Sequence, residues 1–467
     1  MHLEGKKVAV VGLGVSNLAL VRFLVSRGAL VTVLDQKPAG ELAGRLQELP
    51  AGRVRTVLGP GYLDALGEPF DAVFLTPGMP KHLPQVEDVR RRGIPVSGEA
   101  PLFLELCPAP VAGITGSAGK TTTSTLVARM LEASGYRVYL GGNIGVPLID
   151  RLDEIPPTAR VVLELSSFQL ELARTSPSVG VLLNLLPDHM DLHSSWEEYV
   201  AAKRHVFSHQ RECGWAVLNA EDPLVMEQAA HAPAQVALFG ERGPFATGAW
   251  VEGQGEGRAL MLRLPGGEPS PVCGVSTLRL VGRHNLLNAL AAITAAGLLG
   301  GRREAMAEVL AGFTGVPHRL ERVGEVEGVL YVNDSIATTP DRALAALATL
   351  QGPIVLIAGG YDKKLDFTRF ARGTLDKVRH LILLGDTAPR IRAAVEQAAR
   401  EAGVPGPGLH DVADMAQAVE LARALARPGD TVLLSPACAS FGLFRDYRER
   451  GTLFKEMVQR MAKEALR

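Results

Sequence analysis

The 467-residue chain has little of several features that mark particular classes of protein. It contains four cysteines, Cys107, Cys213, Cys273 and Cys438, with no CxxC pair, which argues against a disulfide framework and a cysteine-ligated zinc site. Its formal net charge is −1, so it lacks the overall basic field that binds nucleic acid or anionic lipid. No uninterrupted apolar run approaches the ~20 residues of a membrane-spanning helix. The composition therefore predicts a cytoplasmic protein without a nucleic-acid or membrane partner.

The length and the apolar pattern predict several domains. Single cores stop growing near ~250 to 300 residues, and this chain is longer. Short runs of Val, Ile and Leu, each followed by a helical segment, recur in three sets, as the buried parallel strands of α/β proteins do. We predict an α/β protein of three domains: residues 1–98, Rossmann-like; 99–315, with a P-loop ATPase-like parallel sheet; and 316–467, a Rossmann-like doubly wound sheet. The polar, Gly- and Pro-rich stretch 240–272 predicts loops or a small hairpin.

The segment GITGSAGKTT predicts a phosphate-binding loop between a strand and a helix. Gly116 and Gly119 would let backbone N–H groups approach the phosphates. Lys120 would reach the terminal phosphates, and the Thr121 hydroxyl can ligate Mg²⁺. Ile114 stands where the strict pattern GxxxxGK[ST] has glycine. The alternative is a glycine-rich strand-to-helix turn that binds nothing.

A second candidate phosphate loop, VVGLGVSN, lies near the N-terminus. Asn17 stands where a dinucleotide-binding fingerprint has its last glycine. Asp35 ends the second predicted strand about twenty residues later, where a ribose-binding acid is expected. The residues alone support a plain turn and a nucleotide contact equally. A diphosphate-bearing ligand other than NAD is a further alternative.

These loops occur together with motifs that span the chain in order: GGNIG, LELSSFQLE, DHMDLH, YVAAKRHVF, GRHNLLNALAA, PHRLE, VNDSIATTP and LSPACASF. With them, the chain resembles the Mur ligase family over essentially its whole length, and SPACASF is typical of the members that add D-glutamate. The resemblance implies an ATP-dependent amide ligation in peptidoglycan precursor synthesis. It implies that the first domain binds UDP-N-acetylmuramoyl-L-alanine, the second ATP and the third D-glutamate. The first loop would then face the UDP diphosphate and the second loop the ATP.

The resemblance also implies a mechanism and its residues. Transfer of the γ-phosphoryl group to the L-alanyl carboxylate would give an acyl phosphate, which the amine of D-glutamate attacks. The implied catalytic residues are Lys120, Asn143, Glu164, His189 and Lys203. Two Mg²⁺ ions are implied, with Thr121, Glu164, His189 and Lys203 as ligands. Lys203 would be carbamylated by CO₂, which converts a cation into an anionic oxygen ligand.

The implied binding residues fall into three sets. The ATP contacts would be Thr115, Gly116, Gly119, Lys120, Thr121, Thr122, Asn285, Arg319 and Asp334. The UDP-sugar contacts would be Gly14, Val15, Ser16, Asp35, Gln36, Lys37 and Gly78. The D-glutamate contacts would be Thr338, Lys363, Ser440, Phe441 and Tyr447.

Each of these residues has a plainer interpretation from the sequence alone. Glu164 fits a helix cap or a surface acid, His189 a loop histidine, and Lys203 a solvated helix lysine. Asn285 fits a helix N-cap and Asn143 a left-handed turn residue. An interdomain salt bridge would equally explain Arg319 and Asp334.

The chain departs from the common family pattern at several positions. Ile336 replaces a lysine found in many members, Ala118 replaces a common asparagine, and Gln36 and Lys37 are unusual residues at the uracil site. Lys364 could substitute for Lys363 as the cation that binds glutamate.

Other functions compete with the D-glutamate ligase. Within the family these are a ligase for another amino acid and a folylpolyglutamate-synthase-like enzyme. An NAD-dependent oxidoreductase would use GLGVSN and Asp35 but leaves the P-loop unexplained. A non-enzymatic ATP switch would use Lys120 and Thr121 without needing Lys203. For the leading interpretation, we expect a monomer.

Overall fold

The structure is a computed structural model in which the chain forms two compact units. It describes residues 3–187, 193–280, 282–362 and 365–465. The units span residues 1–313 and 314–467. The first unit contains a 5-stranded and a 9-stranded sheet, and the second a 6-stranded sheet. The predicted α/β class with three sheets is confirmed, whereas the predicted domain limits at residues 98 and 315 stay predictions.

The first sheet is parallel throughout and has the order β3-β2-β1-β4-β5. Its strands are β1 (Lys7–Val11), β2 (Leu30–Asp35), β3 (Val54–Leu58), β4 (Ala72–Leu75) and β5 (Val96–Ser97). The accompanying helices are α1 (Val15–Ser26), α2 (Ala39–Gln47), α3 (Pro84–Arg91) and α4 (Glu99–Leu106). Because β1 pairs with β2 on one side and β4 on the other, its carboxyl end is a topological switch point, where open α/β sheets bind ligands.

The second sheet has the order β14-β13-β12-β11-β10-β9-β6-β8-β7. Its strands are β6 (Val111–Thr115), β7 (Val138–Gly142), β8 (Arg160–Glu164), β9 (Val179–Leu182), β10 (Trp215–Asn219), β11 (Gln235–Phe239), β12 (Gly248–Glu252), β13 (Ala259–Arg263) and β14 (Ser270–Gly274). Its helices are α5 (Lys120–Ala133), α6 (Ser167–Leu170), α7 (Trp196–Arg204), α8 (Pro223–Glu227), α9 (Arg283–Leu298) and α10 (Arg303–Gly312).

The second sheet corrects the prediction of a purely parallel central sheet. All pairings from β7 to β12 are parallel, but β12, β13 and β14 are antiparallel. The stretch 240–272, predicted as loops or one hairpin, forms most of these three strands, so it extends the sheet instead of leaving it. The parallel part has β6 between β8 and β9, which again creates a switch point at the carboxyl end of β6.

The second unit has a mixed sheet of order β15-β16-β20-β17-β18-β19. Its strands are β15 (Glu321–Val326), β16 (Val329–Asn333), β17 (Ile354–Gly359), β18 (Val378–Leu384), β19 (Gly408–Asp411) and β20 (Thr431–Leu434). Its helices are α11 (Pro340–Thr349), α12 (Thr368–Thr374), α13 (Ala388–Ala402), α14 (Met415–Leu425) and α15 (Tyr447–Ala465). Only β15 runs antiparallel to its neighbour.

Apolar cores lie on both faces of the sheet in the second unit. Alternate residues of a strand point to opposite faces, so Leu356 of β17 joins one core while Val355 and Ile357 join the core on the other face. In the first unit, one continuous apolar cluster includes strand residues of both sheets, such as Val8 and Val161. None of the helices in the described residues is long and apolar enough to cross a membrane.

Candidate active site

The predicted P-loop joins β6 to α5 and is built on two glycines. Gly116 has φ +153° and Gly119 has φ +85°, and α5 begins directly afterwards at Lys120. A Cβ added at Gly119 would lie 2.3 Å from Oδ1 of Asn288, and one added at Gly116 would lie 2.9 Å from Cβ of Leu183. Both positions therefore require glycine. The loop places the N-terminus of α5, with its exposed backbone N–H groups, at the carboxyl edge of the sheet.

Two lysines converge on this loop. Nζ of Lys120 donates hydrogen bonds to the carbonyl oxygens of Gly116 (2.8 Å) and Ser117 (3.0 Å). Nζ of Lys203, from α7, donates to the same Gly116 oxygen at 2.9 Å. Lys203 is only 2% exposed and lies over the Tyr199 ring, 4.6 Å from its centroid. The alternative of a solvated helix lysine is therefore wrong, and the nitrogen atoms of both lysines meet at one carbonyl of the loop.

A buried carboxylate faces the loop from the next strand. Glu164 ends β8, is 2% exposed, and accepts hydrogen bonds from Oγ1 of Thr121 (2.7 Å) and Nδ2 of Asn143 (2.8 Å). It is neither a surface acid nor a helix cap, because Ser166 caps α6. Asn143 does not have a positive φ, so its alternative as a left-handed turn residue is also wrong. Side chains from the loop after β7, from β8 and from α5 thus meet at one point.

The chemistry of this cluster fits Mg²⁺. It offers a hydroxyl oxygen from Thr121 and a carboxylate from Glu164. Mg²⁺ prefers oxygen ligands and keeps several waters, so it needs few protein groups. Within residues 3–187, 193–280, 282–362 and 365–465, no cluster of three or more His, Cys, Asp or Glu side chains could hold a metal ion. His189 lies outside these residues, and its metal role stays a prediction.

Two asparagines that the sequence analysis missed support the P-loop. Oδ1 of Asn184 accepts a hydrogen bond from the Ala118 N–H at 2.8 Å, and its Nδ2 donates to the Ala118 carbonyl at 3.1 Å. Asn288, on α9, approaches Gly119 closely and donates to Oδ1 of Asn285 at 3.4 Å. In the segment NLLN, the i, i+3 spacing of Asn285 and Asn288 could have indicated that these two side chains share one face of a helix.

Asn285 and the neighbouring threonines have distinct settings. Asn285 is the third residue of α9, whose N-cap is Gly282, so the N-cap alternative for Asn285 is wrong. Thr115 is fully buried, and its hydroxyl has no hydrogen-bond partner in the described part of the chain. Thr122 is half-buried in the first turn of α5.

Side chains stabilise the N-terminal loop through hydrogen bonds to its backbone. Oδ2 of Asp35 accepts the Leu13 N–H at 2.6 Å, and Oδ1 accepts the Lys37 N–H at 2.9 Å. Nδ2 of the buried Asn17 donates to the carbonyls of Val11 (3.0 Å) and Gly12 (2.8 Å). The asparagine that departs from the dinucleotide fingerprint therefore has a structural role: it satisfies carbonyl groups at the end of β1.

The predicted UDP-sugar residues gather at the carboxyl ends of β1, β2 and β4. Gly14 is the N-cap of α1, Val15 is 64% exposed, and Ser16 is half-buried in the first turn. Gln36 and Lys37 are exposed after β2. Gly78, in the loop after β4, has φ +80°. Because these strands are adjacent and parallel, all of these residues share one edge of the sheet.

In the second unit, Asp334 follows β16 and is 4% exposed. It accepts hydrogen bonds from Oγ of Ser435 (2.9 Å) and the Leu320 N–H (3.1 Å). Burial raises the pKa of Asp334 to about 6, against the opposing effects of these hydrogen bonds and of the Arg319 charge. His318 (φ +63°) and Leu320 (φ +41°) both have left-handed backbones, so the residues around Arg319 form a strained turn beside Asp334.

Three of the predicted D-glutamate residues, Thr338, Ser440 and Phe441, lie in the loops after β16 and β20. Ser440 is 4% exposed, whereas Phe441 is 51% exposed and packs edge-on against Tyr361. Tyr447 begins α15, and Thr338 is half-buried in the loop before α11. The adjacent parallel strands β16 and β20 bring their following loops to one edge. Lys363 and its alternative, Lys364, lie outside the described residues.

Family models match all three sections of the chain. The model of the MurD-like N-terminal domain of Mur ligases matches residues 6–98, that of the Mur ligase middle domain residues 114–296, and that of the Mur ligase, glutamate ligase domain, residues 318–438. A protein from Symbiobacterium thermophilum, named UDP-N-acetylmuramoylalanine--D-glutamate ligase, is 50% identical over 459 residues, which are 98% of both chains.

The chain belongs to the Mur ligase family. Proteins of the same name from Pelotomaculum thermopropionicum and Acetivibrio thermocellus are 43% and 39% identical to this Mur ligase over 98% of its length, and they are covered to 98% and 97%. The fold is similar to the crystal structure of UDP-N-acetylmuramate-alanine ligase from Thermotoga maritima, with a TM-score of 0.51, 20% identity, and coverage of 97% and 99%. The family resemblance that the motifs indicated is confirmed.

Proposed function

We propose that this Mur ligase joins D-glutamate to UDP-N-acetylmuramoyl-L-alanine in an ATP-dependent reaction that releases ADP and phosphate. The observation that carries the proposal is the 50% identity over 98% of both chains to a protein named for this activity. A sibling ligase for another amino acid is less well supported, because the solved murein peptide ligase of Psychrobacter arcticus and the alanine ligase of Thermotoga maritima share only 16% and 20% identity with the chain.

ATP would bind with its phosphates at the N-terminus of α5. Backbone N–H groups from Gly116 to Thr122 and the Lys120 ammonium group would neutralise the phosphate charge. The hydrogen bonds of Lys120 to the Gly116 and Ser117 carbonyls hold its Nζ beside the loop, where the ATP phosphates would bind. Asn285 on α9 would contact the nucleoside, and we propose Arg319 and Asp334 as further nucleotide contacts.

The proposed Mg²⁺ ions would be held by Thr121 and Glu164, together with His189 and the carbamate of Lys203. When bound, Mg²⁺ offsets negative charge on phosphate oxygens during transfer. Asn143 supports this arrangement because its amide donates to Oε1 of Glu164, which leaves Oε2 aimed at Thr121. Asn143 is thus a positioning group for the carboxylate.

The UDP diphosphate would lie at the start of α1, and the L-alanyl carboxylate would approach the γ-phosphate of ATP. Phosphoryl transfer breaks the bond between the γ-phosphorus and the bridging oxygen, and it forms ADP and an acyl phosphate. The D-glutamate amine then attacks the acyl carbon, loses a proton and expels inorganic phosphate. Ser440, Phe441, Tyr447, Thr338 and Lys363 would bind D-glutamate.

The reaction would take place in the cytoplasm, where ATP and UDP-sugars are available, and we propose that the enzyme acts as a monomer. Its test is phosphate release from ATP and Mg²⁺ with UDP-N-acetylmuramoyl-L-alanine and D-glutamate, L-glutamate or no amino acid, with mass measurement of the product. Phosphate and ligated product with D-glutamate alone are expected. Equal release in all three mixtures without ligated product would refute the proposal. Elution at the monomer mass would support the monomeric state.

A further inference from the structure

Arg450 is the largest fully buried side chain of the described residues. It lies on α15 and is 1% exposed. Within the described part of the chain, no carboxylate forms a salt bridge with it. Its guanidinium group donates to three neutral oxygens instead: Oγ of Ser335 (3.0 Å), the Ser335 carbonyl (2.8 Å) and the Cys438 carbonyl (3.2 Å). Burial lowers the pKa of Arg450 to about 10, so it is a cation at neutral pH.

These acceptors belong to two loops that follow adjacent strands. Ser335 lies in the 334–338 loop after β16, and Cys438 lies in the 435–441 loop after β20. The strands are parallel neighbours, and the Asp334 N–H continues their ladder by donating to the Leu434 carbonyl at 2.7 Å. One planar guanidinium group therefore bridges both loops.

Further contacts of neighbouring residues fix the start of α15. Oγ of Ser335, which accepts from Arg450, donates to the Tyr447 carbonyl at 2.8 Å. Nδ2 of Asn333 donates to the Gly451 carbonyl at 3.2 Å. A Cβ at Gly451 would lie 2.2 Å from Nδ1 of His318, so the helix also packs directly on the strained turn at 318–320. Arg450 is the centre of a network that joins the helix to three segments of the proposed site.

Docking a helix through a buried arginine that has no carboxylate partner is energetically unfavourable. Burying an uncompensated charge is unfavourable, and apolar side chains of similar volume often stabilise a core equally well or better. The arginine does have a geometric advantage, since its rigid fork can reach acceptors on several segments at once, whereas a lysine presents a single nitrogen. The contacts therefore favour a role in loop geometry over a role in helix docking alone.

We propose that Arg450 is a positioning residue that sets the spacing between the 334–338 loop and the 435–441 loop. The inference rests on the proposed function: the first loop carries Asp334 and Thr338, and the second carries Ser440. Loss of the fork would let the loops separate, which would weaken D-glutamate binding while leaving the P-loop contacts of the first unit unchanged.

The test uses the full-length enzyme with Arg450→Lys and Arg450→Met, and Arg379→Met as the matched control. Nη1 of Arg379 pairs with Asp430 at 2.8 Å near the amino ends of β18 and β20, on the opposite edge of the same sheet. All variants are compared below the onset of thermal unfolding. We expect both Arg450 variants to raise KM for D-glutamate at least ~10-fold, and Arg379→Met to change it less than ~2-fold.

A second readout does not depend on the reaction. The Cys438 thiol is fully buried, and burial raises its pKa to about 11, so it should react slowly with a maleimide. Labelling without substrates, followed by peptide mass analysis, separates Cys438 from the other cysteines. We expect at least ~10-fold faster Cys438 labelling in the Arg450 variants, and an unchanged rate in Arg379→Met.

The two readouts separate failure of the inference from failure of the proposed function. Unchanged KM and unchanged Cys438 labelling in Arg450→Lys would overturn the inference, as would equal changes in Arg379→Met. If Arg450→Met does not fold, Arg450→Lys decides. If wild type makes no ligated product with D-glutamate, the proposed function fails, and the labelling rates still test whether Arg450 fixes the loops.

Discussion

Replacing Gly119 with alanine perturbs the P-loop in two separable ways. The backbone at Gly119 has φ +85°, a conformation that costs an L-residue about 1–2 kcal/mol. The new Cβ would also lie 2.3 Å from Oδ1 and 3.1 Å from Cγ of Asn288, which is 6% exposed. Because Asn288 is buried in α9, it cannot move aside freely, and the overpacking adds roughly 1–3 kcal/mol. The expected total is a loss of about 2–5 kcal/mol.

Gly135→Ala is the matched control at the other end of α5. Gly135 has φ +95°, but a Cβ there would meet nothing within 4 Å. It therefore carries the backbone cost of about 1–2 kcal/mol without the contact. The difference between Gly119→Ala and Gly135→Ala isolates the overpacking, and the double variant Gly119→Ala/Asn288→Ala should recover most of it.

The assay is differential scanning calorimetry of the ligand-free proteins, together with ATP binding by isothermal titration. Gly119→Ala should lower the Tm of its transition several degrees more than Gly135→Ala does, since 1 kcal/mol corresponds to about 2–4 °C in domains of 150–250 residues. It should also weaken ATP binding at least ~10-fold, because the N-terminus of α5 is displaced, whereas Gly135→Ala should leave binding unchanged. Equal Tm losses in the two variants would refute the contact reasoning.

Three further changes test other parts of the molecule. The pKa of Asp334 is about 6 in the folded protein against 3.8 for a free carboxyl, so the folded state holds the proton more tightly. The free energy of unfolding should therefore fall by roughly 3 kcal/mol as pH rises from about 4 through 6. Urea titrations across this pH range should show that Asp334→Asn lacks the fall, and a variant profile identical to that of wild type would contradict the prediction. Lys81→Met should lower the free energy of urea unfolding by about 2–4 kcal/mol, because the Lys81 side chain is 3% exposed and its Nζ lies 3.3 Å from Oε2 of Glu171. His82→Ala removes the exposed partner of Glu198 and should cost less than about 1 kcal/mol. Similar losses in the two variants would show that burial does not matter there. With ¹³CO₂, NMR should detect a carbamate signal in wild type that is absent from Lys203→Arg, and a wild-type spectrum without the signal would make the carbamylation prediction wrong.

Local sequence signals were sufficient for the central strands and the P-loop. Runs such as VAGIT and RVVLE carry consecutive apolar residues without alternation because both faces of a parallel sheet are covered. Glycines and polar residues that directly follow these strands then indicated that the site lies at their carboxyl ends. The edge strand β15 was missed because its residues, ERVGEV, are polar and only partly buried, which gives a weak pattern. The same weakness concealed the strands within 240–272.

The sequence could not indicate contacts that depend on tertiary packing. Lys203 lies on a helix with several charged neighbours, and only its burial against Gly116 and Tyr199 distinguishes it from a surface lysine. Asn184 is separated from Ala118 by 66 residues, and Arg450 from Ser335 by 115. Nothing in local periodicity records such pairings. The family resemblance, and not the residue pattern, singled out Lys203 as a candidate site residue.

The two glycine loops differ in how they are stabilised, and this difference bears on what each could bind. At the P-loop, the Lys120 ammonium group lies on the carbonyl oxygens of Gly116 and Ser117, and Thr121 and the buried Glu164 supply oxygen ligands for the proposed Mg²⁺. The N-terminal loop is held by Asn17, which satisfies two carbonyls, by the Asp35 carboxylate, which accepts two N–H groups, and by Nη1 of Arg45, which donates to the Leu13 carbonyl at 2.6 Å. A phosphate that only has to be bound can rely on backbone N–H groups and a helix N-terminus. A phosphoryl group that is transferred develops charge that must be stabilised in the transition state, which requires fixed cations at that point. Lys120 and the ligands of the proposed Mg²⁺ therefore favour the second loop as the place of phosphoryl transfer, and we expect the first loop to hold a diphosphate that does not react.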